Sequence, residues 1–302
     1  MPHSAPQTDA PAPREIELKL ALAPGASERL VRHPLLTASA PDVSALANTY
    51  FDTPAGTLAA ARMALRLRRV NGITLQTLKT AGHGGGGLST RNEWEWEVAG
   101  DALDLGGLAE LAPIKALKGD VLPRLAPQLR TDFSRRRYEV RHRHSVVEVA
   151  LDEGEIIAGD GRAPIRELEL ELKAGSPDAL WEMADELAGT AALRPSDSSK
   201  AARGEALGKG DWPLPDAQTA ADRFHLALLA LDAGHDSGRA DFFQAAHRAL
   251  AELAGHHQLA GEERALARRL SGELGEDGQP TVAFGQAALA LARYFARSAP
   301  LR

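Results

Sequence analysis

Two periodicities divide the chain. Up to about residue 175, short runs alternate apolar and charged positions; beyond residue 217, apolar residues recur at helical spacing. Between Arg14 and Leu20, Ile16, Leu18 and Leu20 alternate with Glu15, Glu17 and Lys19. A period of two is that of a β-strand, so the three charged side chains share one face. The pattern recurs. Glu167, Glu169 and Glu171 stand opposite Leu168, Leu170 and Leu172, and Glu93, Glu95 and Glu97 opposite Trp94 and Trp96. Arg66 and Arg68 share one face, as do Arg135 and Arg137. Strands are predicted at 14–22, 47–52, 62–70, 72–80, 91–98, 133–141, 145–151 and 166–173. Asn71-Gly72, between two of them, predicts a tight hairpin turn. Gly82 to Gly87, broken only by His83, lacks the lysine and following helix of a phosphate-cradling loop and predicts a mobile hairpin tip. Strands at this spacing, joined mostly by short turns, suggest an antiparallel barrel. Two helices are predicted inside the unit, from about Ser27 to His33 and from the Ser176-Pro177-Asp178 cap to about Ala188.

Gly208, Gly210, Pro213 and Pro215 mark a linker. Beyond it, four helical segments at about 217–233, 239–255, 261–274 and 281–298 predict a small bundle. Residues 217–302 hold nine arginines, no lysine and ten acidic residues, a mixed charge with no obvious hold on a polyanion. The chemistry is therefore expected to lie before the linker. His225, His235, His247, His256 and His257 form no i, i+4 pair among themselves, so surface or hydrogen-bonded core positions are expected rather than a metal site.

The signs of the alternating charges sharpen the picture. A solvated strand face usually mixes signs, whereas several strands here carry one sign only, and like charges on one face repel. A barrel lumen that takes both metal and polyanion would compensate them. Carboxylates hold hard divalent cations, and guanidinium groups grip phosphate in bidentate fashion. For any single run, the solvated face of an amphipathic edge strand is the alternative.

The bulk properties narrow the classes further. The 302 residues suffice for one large domain or two ordinary ones. A net charge of −6 gives no support to nucleic-acid binding. Cysteine is absent, which excludes disulfides and thiolate metal sites. Residues 1–13 lack the apolar stretch of a secretory signal and are expected to form a disordered tail. No apolar run approaches the roughly 18–20 residues of a membrane span, so a soluble cytoplasmic protein without a membrane partner is expected.

The ordered set of charged motifs resembles the CYTH superfamily, the triphosphate tunnel metalloenzymes. Glu15-x-Glu17-x-Lys19 is similar to the family's ExExK motif, Tyr50-Phe-Asp-Thr-Pro54 to its YFDTP segment, and Leu65-Arg66-Leu67-Arg68 to its LRxR strand. Lys79, Arg91, Phe133-Ser134-Arg135 with Arg137, Asp152 with Gly154, the Glu167-Glu169-Glu171 strand, and Ser199-Lys200 with Arg203-Gly204 follow in order. The resemblance covers residues 14–210. It implies an eight-stranded antiparallel β-barrel, hence an α+β chain with a C-terminal helical bundle over 217–302 as accessory domain. It also implies a triphosphate substrate bound with Mg²⁺ or Mn²⁺. Members often carry a C-terminal CHAD domain; this tail is shorter and lacks that domain's basic, histidine-centred pattern.

On this resemblance Glu15, Glu17 and Lys19 are the catalytic candidates. Lys19, Arg66, Arg68, Lys79, Arg91, Arg135, Arg137, Lys200 and Arg203 are the expected phosphate ligands, and Glu15, Glu17, Asp152, Glu167, Glu169 and Glu171 the expected metal ligands. Glu93 and Glu95 are expected to orient arginines. The implied activity is hydrolysis of inorganic tripolyphosphate, with longer polyphosphate as a possible ligand. Adenylyl cyclase and thiamine triphosphatase are the rival enzymes, and a polyphosphate- or nucleotide-binding module is the non-catalytic alternative.

Overall fold

A computed structural model describes residues 14–298; the tail predicted at 1–13 lies outside the described residues. The strands are β1 (Arg14–Leu22), β2 (Asp42–Asp52), β3 (Ala64–Val70), β4 (Ile73–Lys79), β5 (His83–Gly85), β6 (Leu88–Val98), β7 (Ala126–His142), β8 (Ser145–Ala158), β9 (Gly161–Ala174) and β10 (Leu193–Pro195). Eight of them close a barrel in the order β1-β9-β8-β7-β2-β3-β4-β6, with β6 returning to β1; β5 and β10 are short additions. All pairings are antiparallel. Each of the eight barrel strands contains or overlaps one expected from the alternation. The Asn71-Gly72 turn joins Val70 to Ile73 with both residues at positive φ, 51° and 82°, which matches the twist of a two-residue hairpin.

Eleven helices complete the described chain: α1 (Ala26–Leu30), α2 (Pro34–Thr37), α3 (Thr57–Ala60), α4 (Leu105–Glu110), α5 (Ala112–Lys115), α6 (Asp178–Ala188), α7 (Lys200–Lys209), α8 (Ala220–Ser237), α9 (Ala240–Ala254), α10 (Gly261–Glu273) and α11 (Val282–Ser298). The short α3–α5 and the helix α7 have no clear periodic signal in the sequence. No described helix is long and apolar enough to cross a membrane.

Because charged side chains of β1 and β9 face inward, their leucines face outward and need cover. Leu18, Leu20, Leu168 and Leu170 are fully buried in one apolar cluster with Leu180 of α6, Phe224 and Leu228 of α8, and Phe284 and Leu289 of α11. The C-terminal helices thus share a core with the barrel wall. Two buried ion pairs cross the same joint, Arg194–Asp232 and Arg203–Asp236, each at 2.7 Å. On the far side, Trp96 packs with Leu78, Leu108 and Ile114, and its Nε1 donates to Asp104 at 3.1 Å. The tryptophans of β6 therefore point away from the lumen, as their alternation with glutamates requires.

Candidate active site

Two cavities of about 590 Å³ and about 670 Å³ occupy the barrel axis. The first reaches Asp42, Arg137 and Glu148, at the start of β2 and β8; the second reaches Asp52, Thr53 and Gly159, at their ends. Glu17, Lys19, Tyr50, Lys79 and Arg91 line both, so the two form one tunnel with a common waist. Ten basic and eight acidic side chains line the first cavity. That near balance suits neither a plain anion cradle nor a plain cation cage.

Register explains why these groups meet. Glu17 stands opposite Glu171 and Lys19 opposite Glu169 across β1 and β9, while Glu15 stands opposite Arg91 across β1 and β6. Glu15 accepts from Lys79 at 2.9 Å and from Arg91 at 2.7 Å. Burial alone would raise its pKa, but these two cations hold it well below the carboxylate range. Glu17 differs. Its single ion pair among the described residues is with Arg91 at 3.5 Å. Burial, and then the neighbouring Glu169 charge, push its pKa up to about 7.

The cations are also unequal. Arg66 lies 3.8 Å from both Glu93 and Glu95, so those glutamates do brace an arginine. Arg135 donates to both oxygens of Asp152 at 2.7 Å and also reaches Glu169. Arg68, by contrast, donates through Nε only to the Asn48 side chain, at 2.9 Å, and makes no ion pair among the described residues. Burial, with the nearby Arg66 and Arg135 guanidinium groups, pushes its pKa down to about 10. Lys19 donates to the Ser198 carbonyl and likewise makes no ion pair among the described residues. A buried cation without a counter-ion is costly, and a bound anion would relieve it.

Carboxylate oxygens of Asp152, Glu167 and Glu169 lie within 4.8 Å of one another, a spacing that a cation could bridge. The Lys200 ammonium already does so: it pairs with Asp152 at 2.8 Å, with Glu169 at 2.7 Å and with Glu167. Asp152 and Glu167 are 0% and 1% exposed and line neither cavity. Asp152, Glu167 and Glu169 thus form a convergent carboxylate group, in which Asp152 and Glu167 also pair with Arg135 and Arg203. Glu15, Glu17, Glu169 and Glu171 do line the first cavity. Both sets supply the carboxylate oxygens that a hard divalent cation takes, and Glu169 belongs to both.

Other expected residues are placed unevenly. Lys79, Arg91, Arg66, Arg68, Arg135 and Lys200 all line the first cavity. Arg137 is at its rim, half exposed and paired with Asp42 at 2.6 Å. Arg203 is not in the tunnel. Its guanidinium donates to Glu167, Asp236 and the Pro164 carbonyl, each at 2.7 Å, at the barrel–helix joint. Glu171 sits beside Lys173 at 2.6 Å.

Three residues that line the tunnel were not among the expected ligands. Tyr50 lines both cavities, opposite Arg66 in the β2–β3 register; its period-two relation to Asn48 on β2 was the available signal. Asp197 and His225 line the second cavity and pair with each other at 2.5 Å. Nothing local marks them, because 28 residues separate them. The Asp of the Phe51-Asp52-Thr53 run is structural: it accepts from the backbone of Thr53, Leu58 and Ala59 at 2.6–2.9 Å and caps α3.

Comparison with known proteins adds identity to this geometry. An inorganic triphosphatase of Haemophilus influenzae is 36% identical over 205 residues, which make up 66% of this chain and 57% of that protein. The chain therefore spans little more than half of that relative's length. Among solved structures, an adenylyl cyclase candidate from Hippeastrum described by a dominant triphosphatase activity is 23% identical, with a TM-score of 0.49 over 67% of this chain and 98% of that one. An adenylate cyclase candidate from Bacillus halodurans is 18% identical, with a TM-score of 0.37 over 58% and 90%. At these TM-scores neither structure bears on the chemistry. Residues 13–204 match the CYTH domain, the span that contains all eight barrel strands and their inward-facing charges, and on that match the chain belongs to the CYTH family.

Proposed function

We propose that the tunnel hydrolyses inorganic tripolyphosphate to pyrophosphate and phosphate with the help of Mg²⁺ or Mn²⁺. The observation that carries this reading is the uncompensated charge of both signs in one cavity: among the described residues Lys19 and Arg68 make no ion pair, and Glu17 has one guanidinium at 3.5 Å. A polyanion with its cation satisfies both deficits at once. Glu17, Glu15 and Glu169 would hold the metal, which supplies charge neutralisation to the phosphate oxygens and favours in-line geometry. Arg68, Arg66 and Arg135 offer guanidinium forks to the phosphates, and Lys19 and Lys79 act as point charges. Water attacks the terminal phosphorus, the bridging P–O bond breaks towards pyrophosphate, and the row of carboxylates accepts the proton. No serine or cysteine nucleophile is needed.

The substrate preference rests on what the tunnel lacks. Tyr50 and Phe51 are the only phenyl or indole rings lining either cavity among the described residues, and the tryptophans face outward. A nucleoside or thiazolium would add bulk with little stacking to offset it. The triphosphatase activity named for the Haemophilus relative supports the same reading. The deciding measurement is kcat/KM for tripolyphosphate, ATP and thiamine triphosphate at equal Mg²⁺, with a separate assay for cyclic AMP. Tripolyphosphate is expected to lead. A tenfold lead for either other substrate, or accumulation of cyclic AMP, replaces the proposal by the corresponding activity.

A further inference from the structure

We propose that His225, carried by α8 from outside the barrel, is a phosphate-contacting residue of the tunnel that holds the far end of the polyphosphate chain. The proposal rests on the tripolyphosphate reading above. The carboxylates Glu15, Glu169 and Glu171 line only the first cavity, and Glu17 lies at the waist. A chain attacked beside them extends its other end into the second cavity, where His225 forms part of the wall.

The imidazole is built into position. Nδ1 pairs with Asp197 Oδ2 at 2.5 Å, and Asp197 Oδ1 accepts from the Gly87 backbone at 2.7 Å. The Gly87 carbonyl in turn accepts from the Lys19 backbone at 2.9 Å, which ties the histidine to the catalytic strand. Gly87 has φ of +87°, and a Cβ there would meet the Lys19 carbonyl at 2.6 Å, so only glycine permits this approach. The adjacent Phe224 is 2% exposed and seats α8 against the barrel, while a Thr219–Asp222 capping box fixes where the helix begins. With Nδ1 engaged, Nε2 is left without a partner among the described residues, on a side chain that is 44% exposed and forms part of the cavity wall. The Asp197 hydrogen bond, with Asp197, Asp222 and Asp232 as negative neighbours, raises the imidazole pKa above its ordinary value and favours a donor at Nε2.

The glycine-rich segment is correspondingly not an independent tip. His83–Gly85 pairs with β6, and a Cβ at Gly86 would lie 2.7 Å from Ala292 of α11. The C-terminal helices thus pack against the glycine-rich segment and place an imidazole in the tunnel wall, whereas the chemistry was expected to precede the linker.

The test is steady-state kinetics of full-length protein on tripolyphosphate at saturating Mg²⁺. Loss of one charge-assisted phosphate contact corresponds to roughly tenfold in affinity. His225→Ala is expected to raise KM about five- to tenfold with kcat within about twofold, and His225→Gln, which keeps a neutral donor, to recover part of the loss. Imidazole NMR resonances of His225 should shift on titration with tripolyphosphate. An unchanged KM in His225→Ala, alongside a raised KM in Arg68→Ala, overturns the proposal and leaves the function intact. If wild-type protein binds tripolyphosphate without cleaving it, hydrolysis fails while the imidazole shift still decides the contact. If wild-type protein does not bind it at all, both fall.

Discussion

Two groups of carboxylates were expected to do the same work, and their surroundings separate them. Asp152 and Glu167 are sealed under Lys200, Arg135 and Arg203, with every nearby charge answered. Glu17 faces the waist of the tunnel with one distant guanidinium and an acidic neighbour. All three sit on barrel strands. What separates them is the balance of charge in three dimensions. The cations divide in the same way: Lys200 pairs with three carboxylates, whereas Arg68 pairs with none among the described residues.

The largest effect should come from breaking the saturated group. Lys200→Ala leaves Asp152, Glu167 and Glu169 buried against one another, and removing one partner of a buried pair costs about 3–5 kcal/mol. Urea unfolding measures this; a loss under about 1 kcal/mol would show that water reaches the trio. Next, Glu17→Gln should lower kcat at saturating Mg²⁺ by on the order of 100-fold or more, without loss of stability. Near-normal turnover would remove Glu17 from the metal site. Arg68→Ala should then weaken tripolyphosphate binding by about 1.5–3 kcal/mol, roughly tenfold to a hundredfold, and leave the unfolding midpoint in place because no ion pair is lost. Calorimetry and urea unfolding together separate it from Lys200.

A smaller effect is the pH slope of stability. The Glu17 pKa is about 7 when folded against 4.5 as its reference value. The folded state therefore binds more protons between these values, and this group's contribution to stability falls as pH rises from about 4.5 to about 7. Glu15 and Glu169, whose pKa values are lowered, act in the opposite sense and lose their contribution as pH falls. Wild-type and Glu17→Gln midpoints should diverge towards neutral pH, in favour of the variant; parallel profiles would mean that Glu17 is better compensated than its contacts indicate. Last, Arg137→Ala should cost no more than about 1 kcal/mol in stability, since its pair with Asp42 is half exposed at the rim.

Much of this was legible because a barrel strand is read two residues at a time. Alternation located all eight barrel strands and placed Glu15, Glu17, Lys19, Arg66 and Arg68 on the inner face. Asn71-Gly72 declared its hairpin by backbone chemistry alone. The site was legible as a set of inward charges, and not as a set of roles. Arg203 is of the same type as Arg68, yet it turns to Asp236, a residue 33 positions away on a helix that no strand periodicity describes.

The sequence by itself determined the strand faces, the helical tail and the kinds of ligand the lumen suits, because these follow from local period and side-chain chemistry. Only the tertiary structure decided which carboxylates are already neutralised, that the outward leucines of the barrel share a core with the C-terminal helices, and that His225 reaches the tunnel through Asp197. Each depends on pairings between distant segments, and ion pairing and burial are properties of those pairings rather than of the residues alone.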